Sequence, residues 1–327
     1  MRIVLCYPVE KRHLEQFQRV APTAEFVDAG QERIATELLN ADIFMGHAKV
    51  PVPWDDVVRK GRFKWIQSSA AGLDHCLVPA VIASEIPVSS ASGLFADQVA
   101  EQTLALLLGL LRGLPTFFRA QQKREFIRRP TRDLHGATVG IVGYGGNGRR
   151  IAEVLAPYRC RVVATDLFPR ERPDHVEAIW PADRLPELLS VSDITVLCVP
   201  LNAQTQGMIG ATEFATMKRG SILINVARGP VVVESELISA LEAGQLWGAG
   251  VDVTEVEPLP IESKLWDLPN VIITPHVGAQ SARRVDDTTD LLCENLRRYL
   301  NNEPLLNLVD KQLGFPEKIA ENWRKQS

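Results

Sequence analysis

Apolar positions along the chain fall in short blocks separated by amphipathic stretches. In the first ninety residues, Arg2–Tyr7, Glu25–Val27, Ile43–Gly46, Phe63–Ser68 and Pro87–Ser89 read as strands. Lys11–Arg19 and Gln31–Asn40 carry the spacing of helices between them. Such alternation predicts parallel βαβ units. A long helical pattern starts near Leu94. Within it lies the longest apolar run, Thr103–Leu114, which contains Arg112 and falls short of the ~20 residues of a membrane span. It reads as a buried helix.

A second alternating series extends from Thr138 to about His276. Its strands are Val139–Val142, Arg161–Thr165, Asp193–Val199, Ser221–Val226, Leu246–Val253 and Val271–Thr274. Val/Ile/Leu-rich runs bounded by Gly, Pro and Asp suit strands covered on both faces. The last long helix, about Ser281–Leu300, has no strand after it and is expected to return to the first domain. The predicted architecture is α/β, with two doubly wound parallel-sheet domains. Residues 1–93 and 289–327 form one and residues 94–288 the other, with a cleft between them where such sheets bind ligands.

Composition removes several function classes. A length of 327 residues suits two domains, and 46% hydrophobic with 23% charged residues is ordinary for a globular protein. A net charge of −4, with no basic stripe interleaved with aromatics, gives no grip on nucleic acid or an anionic membrane. Cys6, Cys76, Cys160, Cys198 and Cys293 form no CxxC pair, so reduced thiols are expected rather than disulfides or a metal site. The opening MRIVLCYPVEKR is too early-charged for a signal peptide, and a cytoplasmic location follows as the expectation.

The first candidate chemistry is Gly143-Tyr144-Gly145-Gly146-Asn147-Gly148, set between the strand ending at Val142 and the helical stretch from Arg149. In this GxGxxG, Gly143 permits the turn, Gly145 lets backbone approach a pyrophosphate, and Gly148 lets helix and strand pack closely. The helix N-terminus offers N–H groups and partial positive charge to phosphates. Asp166 ends the next strand, about 20 residues on, where a carboxylate reaches the adenosine ribose hydroxyls. Its alternative is a cap on the following turn. A carboxylate there repels a 2′-phosphate, which favours NAD over NADP, although Arg170 and Arg172 follow closely.

Three further motifs each place a charged or titratable residue just beyond a strand. They are Arg228 in Asn225-Val226-Ala227-Arg228-Gly229, Glu257 in the Asp252–Pro258 segment, and His276 in Thr274-Pro275-His276-Val277-Gly278-Ala279. A guanidinium binds a carboxylate through two hydrogen bonds and polarises a neighbouring carbonyl. An imidazolium donates a proton to the carbonyl oxygen. A carboxylate paired to that ring orients it and raises its pKa from about 6.5. Singly, these are a surface cation, a loop acid and a capping histidine; together, at successive strand ends, they suit reduction of a 2-oxo acid or oxidation of a 2-hydroxy acid. His13, His47, His75, His135 and His175 lack such a setting.

Through NVARG, EVEP and TPHVGA the chain resembles the D-isomer-specific 2-hydroxyacid dehydrogenases, from the Ser68–His75 loop to Leu305–Val309. The resemblance implies a Rossmann NAD-binding domain, a flavodoxin-like substrate domain split across both ends of the chain, interdomain closure and a homodimer. It implies that Arg228 binds substrate, that Glu257 pairs with His276, and that His276 is the acid/base. Gly146 and Asn147 would give N–H groups to the pyrophosphate, and Pro200 and Thr205 would line the cofactor. Asp252 would meet the nicotinamide side, with Ala227 and Gly278 also in the cofactor site. Ala70, Ala71 and Gly72 match the loop whose N–H groups hold the substrate carboxylate.

Many relatives carry an aliphatic residue where Asn147 stands. The Ser68–Asp74 loop lacks the basic residue that phosphoglycerate-specific relatives share, so a phosphorylated substrate is disfavoured. Leu73, Leu94 and Phe95 form either a small apolar wall beside C3 of the substrate or simply core. Glyoxylate, hydroxypyruvate or a short aliphatic 2-oxo acid fits best. Two alternatives stay open on sequence: a phosphite dehydrogenase-like enzyme, and a non-catalytic NAD-sensing corepressor-like protein. Glu257 and the short N-terminal segment argue against a formate enzyme.

Overall fold

The computed structural model describes residues 1–168 and 170–320. Two compact units partition the chain, Met1–Phe95 with Ser281–Ser327, and Ala96–Gln280. The division drawn at residue 288 falls inside a continuous helix, whereas the units part at Gln280/Ser281. Residues 321–327 of the expected first domain lie outside the described residues.

The first unit contains strands β1 (Arg2–Cys6), β2 (Glu25–Asp28), β3 (Ile43–Gly46), β4 (Trp65–Ser68) and β5 (Val88–Ser89). Helices α1 (Lys11–Val20), α2 (Gly30–Glu37), α3 (Trp54–Arg59) and α4 (Pro79–Ala83) alternate with them. All pairings are parallel, in the order β2-β1-β3-β4-β5, the flavodoxin-like order. β3 and β4 are buried at every position, as strands covered on both faces must be.

The second unit opens with α5 (Ala96–Leu111) and α6 (Leu114–Gln122), which bend by 68° at a break containing Gly113, whose φ is +70°. α5 buries Val99, Leu106, Leu107 and Leu110, the pattern of a core helix. No single described helix is long and apolar enough to cross a membrane. The sheet has strands β6 (Thr138–Val142), β7 (Arg161–Asp166), β8 (Ala178–Pro181), β9 (Ile194–Leu197), β10 (Ser221–Asn225), β11 (Leu246–Val251) and β12 (Val271–Ile273). Between them run α7 (Gly146–Leu155), α8 (Leu185–Val191), α9 (Ala211–Thr216) and α10 (Glu234–Glu242). The order β12-β11-β10-β9-β6-β7-β8 is a Rossmann sheet extended by one strand, with its switch point between β6 and β9.

The last helix, α11 (Arg284–Leu300), belongs to the first unit. It buries Leu292, Cys293 and Leu296 beside Ile3, Leu5 and Trp65, and Tyr299 stacks on Trp65 with ring centroids 5.1 Å apart. Buried Asn295 donates to Gln67 Oε1 at 2.6 Å and accepts from Leu306 N–H at 2.8 Å. Asp286 and Asp287 in its first turn and Arg297 and Arg298 in its last complement the helix dipole.

Candidate active site

β6 delivers the glycine loop at the switch point. Gly143 has φ +95°, donates its N–H to Thr165 O at 2.9 Å, and lies against the Cys198 carbonyl, so a Cβ there would stand 3.1 Å from Cys198 O. A Cβ on Gly148 would overlap the Gly143 carbonyl oxygen. α7 then starts with Gly145 as N-cap, with no side-chain cap and no acid in its first turn. This backbone closeness and uncapped, positive helix end fit an anionic dinucleotide phosphate at Gly145–Gly148. Asn147 is half-buried within that turn.

Asp166 at the end of β7 ties the loop down. Its Oδ2 accepts from Tyr144 N–H at 2.7 Å and its Oδ1 from Phe168 N–H at 2.9 Å. Arg170 Nε lies 3.7 Å from Oδ1. The carboxylate thus caps a turn and clamps the glycine loop at once. Beyond β9, Thr205 Oγ donates to Pro200 O at 2.6 Å and accepts from Asn202 N–H at 2.9 Å, closing the Pro200–Thr205 turn.

The charged trio follows three neighbouring strands. Arg228 follows β10, Glu257 follows β11 and His276 follows β12, so adjacent parallel strands carry them to one sheet edge. The Arg228 turn is built by Asn225, whose Oδ1 accepts from Ala227 N–H at 3.0 Å and whose Nδ2 donates to Arg228 O at 3.2 Å. Arg228 Nη1 donates to Ala227 O at 2.8 Å. Gly229 packs its α-carbon onto the Thr254 carbonyl, where any side chain would overlap it. The Arg228 turn and the Glu257 loop therefore interlock backbone to backbone.

His276 Nδ1 and Glu257 Oε2 are 2.8 Å apart, and Glu257 Oε1 accepts from Thr254 N–H at 3.3 Å. Both side chains are partly open to solvent, 44% exposed for His276 and 40% for Glu257. Burial opposes ionisation of Glu257, yet the His276 hydrogen bond and charge, the Thr254 N–H and the Arg228 charge outweigh it. They hold the carboxyl below its ordinary value of 4.5. With Glu257 anionic, Nδ1 is the donating nitrogen of the pair.

Asp252 is of another kind. It is 3% exposed, and its carboxylate accepts from Thr274 Oγ at 2.6 Å, Val277 N–H at 3.0 Å and Gly278 N–H at 2.8 Å. In the first unit, Ala70 N–H donates to Ser68 Oγ at 3.0 Å, so it is committed within its own turn. The N–H groups of Ala71 and Gly72 donate to no described residue, and Ala71 is exposed and Gly72 half-buried. Leu73 is 4% exposed within the core cluster of Val4, Phe44 and Cys76, which settles it as core. Phe95 lies beneath the Arg284 guanidinium at 4.9 Å. Sequence reasoning missed Asn225, Thr254, Thr274 and Gln102. The first three sit inside the recognised motifs as side chains able to hold turns, while Gln102 shows as nothing more than a polar residue in an apolar helix.

The family model for the D-isomer specific 2-hydroxyacid dehydrogenase NAD binding domain matches residues 104–278. The chain is 33% identical to the glycerate dehydrogenase of Methylorubrum extorquens, over 84% of this chain and 87% of that protein. The D-isomer specific 2-hydroxyacid dehydrogenase of Xanthobacter autotrophicus Py2, solved with NADPH and MES, superposes with a TM-score of 0.82 at 29% identity. That match covers 96% of this chain and 99% of the other. The NADPH-dependent glyoxylate/hydroxypyruvate reductase of Sinorhizobium meliloti, solved with NADP and sulfate, gives 0.80 at 27%, over 96% and 99%.

Proposed function

The chain belongs to the D-isomer-specific 2-hydroxyacid dehydrogenase family, and we propose that it interconverts a small 2-oxo acid and its D-2-hydroxy acid. The family's members are oxidoreductases that use a nicotinamide cofactor. The observation that carries the reading is the His276–Glu257 pair at 2.8 Å, on the strand next to the one that presents Arg228.

A bound nicotinamide supplies or takes up the hydride at C2. Gly145, Gly146, Asn147 and Gly148 would hold its pyrophosphate on the turn that Gly143 makes, Asp166 would face the adenosine ribose, and Pro200, Thr205, Ala227 and Gly278 would line its remaining length. Asp252 Oδ2 accepts a single N–H and keeps a lone pair for the carboxamide. His276 Nε2 gives its proton to the oxygen on C2 in reduction and recovers it in oxidation. Glu257 holds the ring and offsets the charge it gains. Arg228 grips the substrate carboxylate with a fork of N–H donors and stabilises negative charge growing on the C2 oxygen. Ala71 and Gly72 N–H groups form the carboxylate-binding element of the first unit.

The preferred cofactor is NAD, because a second anion beside Asp166 is repelled, and Arg170 reduces that preference without reversing it. A homodimer is proposed from the exposed apolar side chains Phe118 and Phe126, at 58% and 96% exposure. The five unpaired thiols suit a reducing cytoplasm. Mixing the purified protein with NADH or NADPH and glyoxylate, hydroxypyruvate, pyruvate or 2-oxoisocaproate, and following loss of the reduced nicotinamide absorbance, tests the reading. Turnover is expected with at least one acid, at higher kcat/KM with NADH. No turnover with any acid overturns the reaction, and a higher kcat/KM with NADPH overturns the cofactor preference alone.

A further inference from the structure

His276 has φ +55°, a left-handed conformation uncommon for a residue with a side chain. The contacts that hold it converge on Asp252. Its main-chain carbonyl accepts from His276 N–H at 2.7 Å. Its carboxylate accepts the next two N–H groups, those of Val277 and Gly278, at 3.0 and 2.8 Å. Three consecutive N–H groups thus point at one residue.

Two further side chains fix that residue's carboxylate. Thr274 Oγ lies 2.6 Å from Asp252 Oδ1, and Gln102 Nε2 lies 2.8 Å from Thr274 Oγ and 3.5 Å from Oδ1. The proton directions are determined by chemistry. An ionised carboxylate only accepts, so the threonine hydroxyl spends its single proton on Asp252 and accepts from the glutamine amide. The donors on this carboxylate, a hydroxyl, two peptide N–H groups and an amide, are all neutral. Asp252 has no charged partner among them to hold it from one side, and its orientation depends on the whole set. The chain that results runs from α5 through Gln102, Thr274 and Asp252 to the backbone of His276.

We infer that Gln102 and Thr274 are positioning residues, which act through Asp252 to hold the His276 backbone so that the imidazole meets Glu257. The inference rests on His276 being the acid/base. Losing the Thr274 hydroxyl leaves Asp252 Oδ1 without its shortest donor and Gln102 with only its 3.5 Å contact to Oδ1, and the His276–Gly278 turn relaxes. Displacing a reacting group by an ångström costs up to about 100-fold in rate, and a partial relaxation is expected to cost about tenfold.

The test compares Thr274→Val, Thr274→Ser, Gln102→Leu and His276→Ala with the full-length enzyme. Thr274→Val and Gln102→Leu should lower kcat about tenfold with KM for the 2-oxo acid within about twofold. Both should move the acid limb of the pH–rate profile to higher pH, because a ring displaced from Glu257 no longer holds that carboxyl below its ordinary value. Thr274→Ser, which keeps the hydroxyl, should restore both. A second readout needs no turnover: the Glu257 carboxyl resonance, assigned by its loss in Glu257→Gln, should titrate higher in Thr274→Val than in wild type. An unmoved profile and resonance in Thr274→Val, or equal impairment of the serine variant, overturns the inference. If Thr274→Val does not fold, Gln102→Leu decides by the same criteria. A fully active His276→Ala would instead remove the acid/base reading beneath it.

Discussion

Asp252 and Glu257 stand five positions apart on one loop, and they are opposites. Asp252 is 3% exposed, with hydrogen bonds from a hydroxyl and two backbone N–H groups. Glu257 is 40% exposed and meets one backbone N–H and one titratable ring. The first is part of the scaffold, buried, with both carboxylate oxygens accepting hydrogen bonds. The second is a working acid, open to solvent and electrically coupled to its partner. One loop thus supplies both a fixed frame and a responsive group, and burial and donor count decide which is which.

The widest separation between the two roles is in rate. His276→Ala should reduce kcat about 1,000-fold, since a positioned general acid contributes ~10²–10⁴; steady-state kinetics at saturating cofactor measures it. Arg228→Ala should lower kcat/KM about 100-fold, with much of the loss in kcat, because its grip tightens as charge grows on the substrate oxygen. A loss confined to KM would make Arg228 a plain binding residue.

Stability separates the two carboxylates directly. Asp252→Asn keeps the shape but turns one acceptor into a donor facing donors, and should cost about 2 kcal/mol, read as a fall of several degrees in Tm. Glu257→Gln keeps solvent access and should change stability by less than about 0.5 kcal/mol. Its effect should lie in the pH–rate profile, with the acid limb that Glu257 contributes lost. Equal Tm losses for both variants would erase the distinction.

The smallest effect is at acid pH. The folded protein holds Glu257 below its ordinary 4.5, so its pairing is fully present above that value and is lost as pH falls through the lowered one. Wild-type activity should therefore show no Glu257-dependent loss above the ordinary 4.5, and the difference between wild type and Glu257→Gln should shrink only at pH below it.

Much of this was legible because parallel strands buried on both faces write themselves as continuous apolar runs. β6, β7, β9, β10, β11 and β12 were each anticipated to within a few residues, and the charged trio stood out because each follows such a run. β8 was missed: it is an edge strand, half-buried, and it ends on Pro181. The stretch from Leu94 was read as one long helix, and the break at Gly113 divides it. Gln102 was silent because its meaning is tertiary. On α5 it is one polar residue among leucines, and only the fold brings Thr274 to it, 172 positions away. Asp166 and Ala70 show the same limit, since hydrogen bonds within a turn commit atoms that a motif leaves open.

The stacking of Tyr299 on Trp65, with Leu292 and Leu296 beside Ile3 and Leu5, has a consequence for biosynthesis. A ribosome makes the first unit's strands at the start and the helix that covers them near the end. Between the two, the contiguous segment Ala96–Gln280 emerges whole and is free to fold as it appears. The nascent N-terminal sheet waits with Trp65 and its neighbours uncovered for about 200 residues of translation, roughly 10–40 s at 5–20 residues per second. For that interval the chain displays an apolar face to solvent, a reason for holding chaperones to engage it before any substrate does.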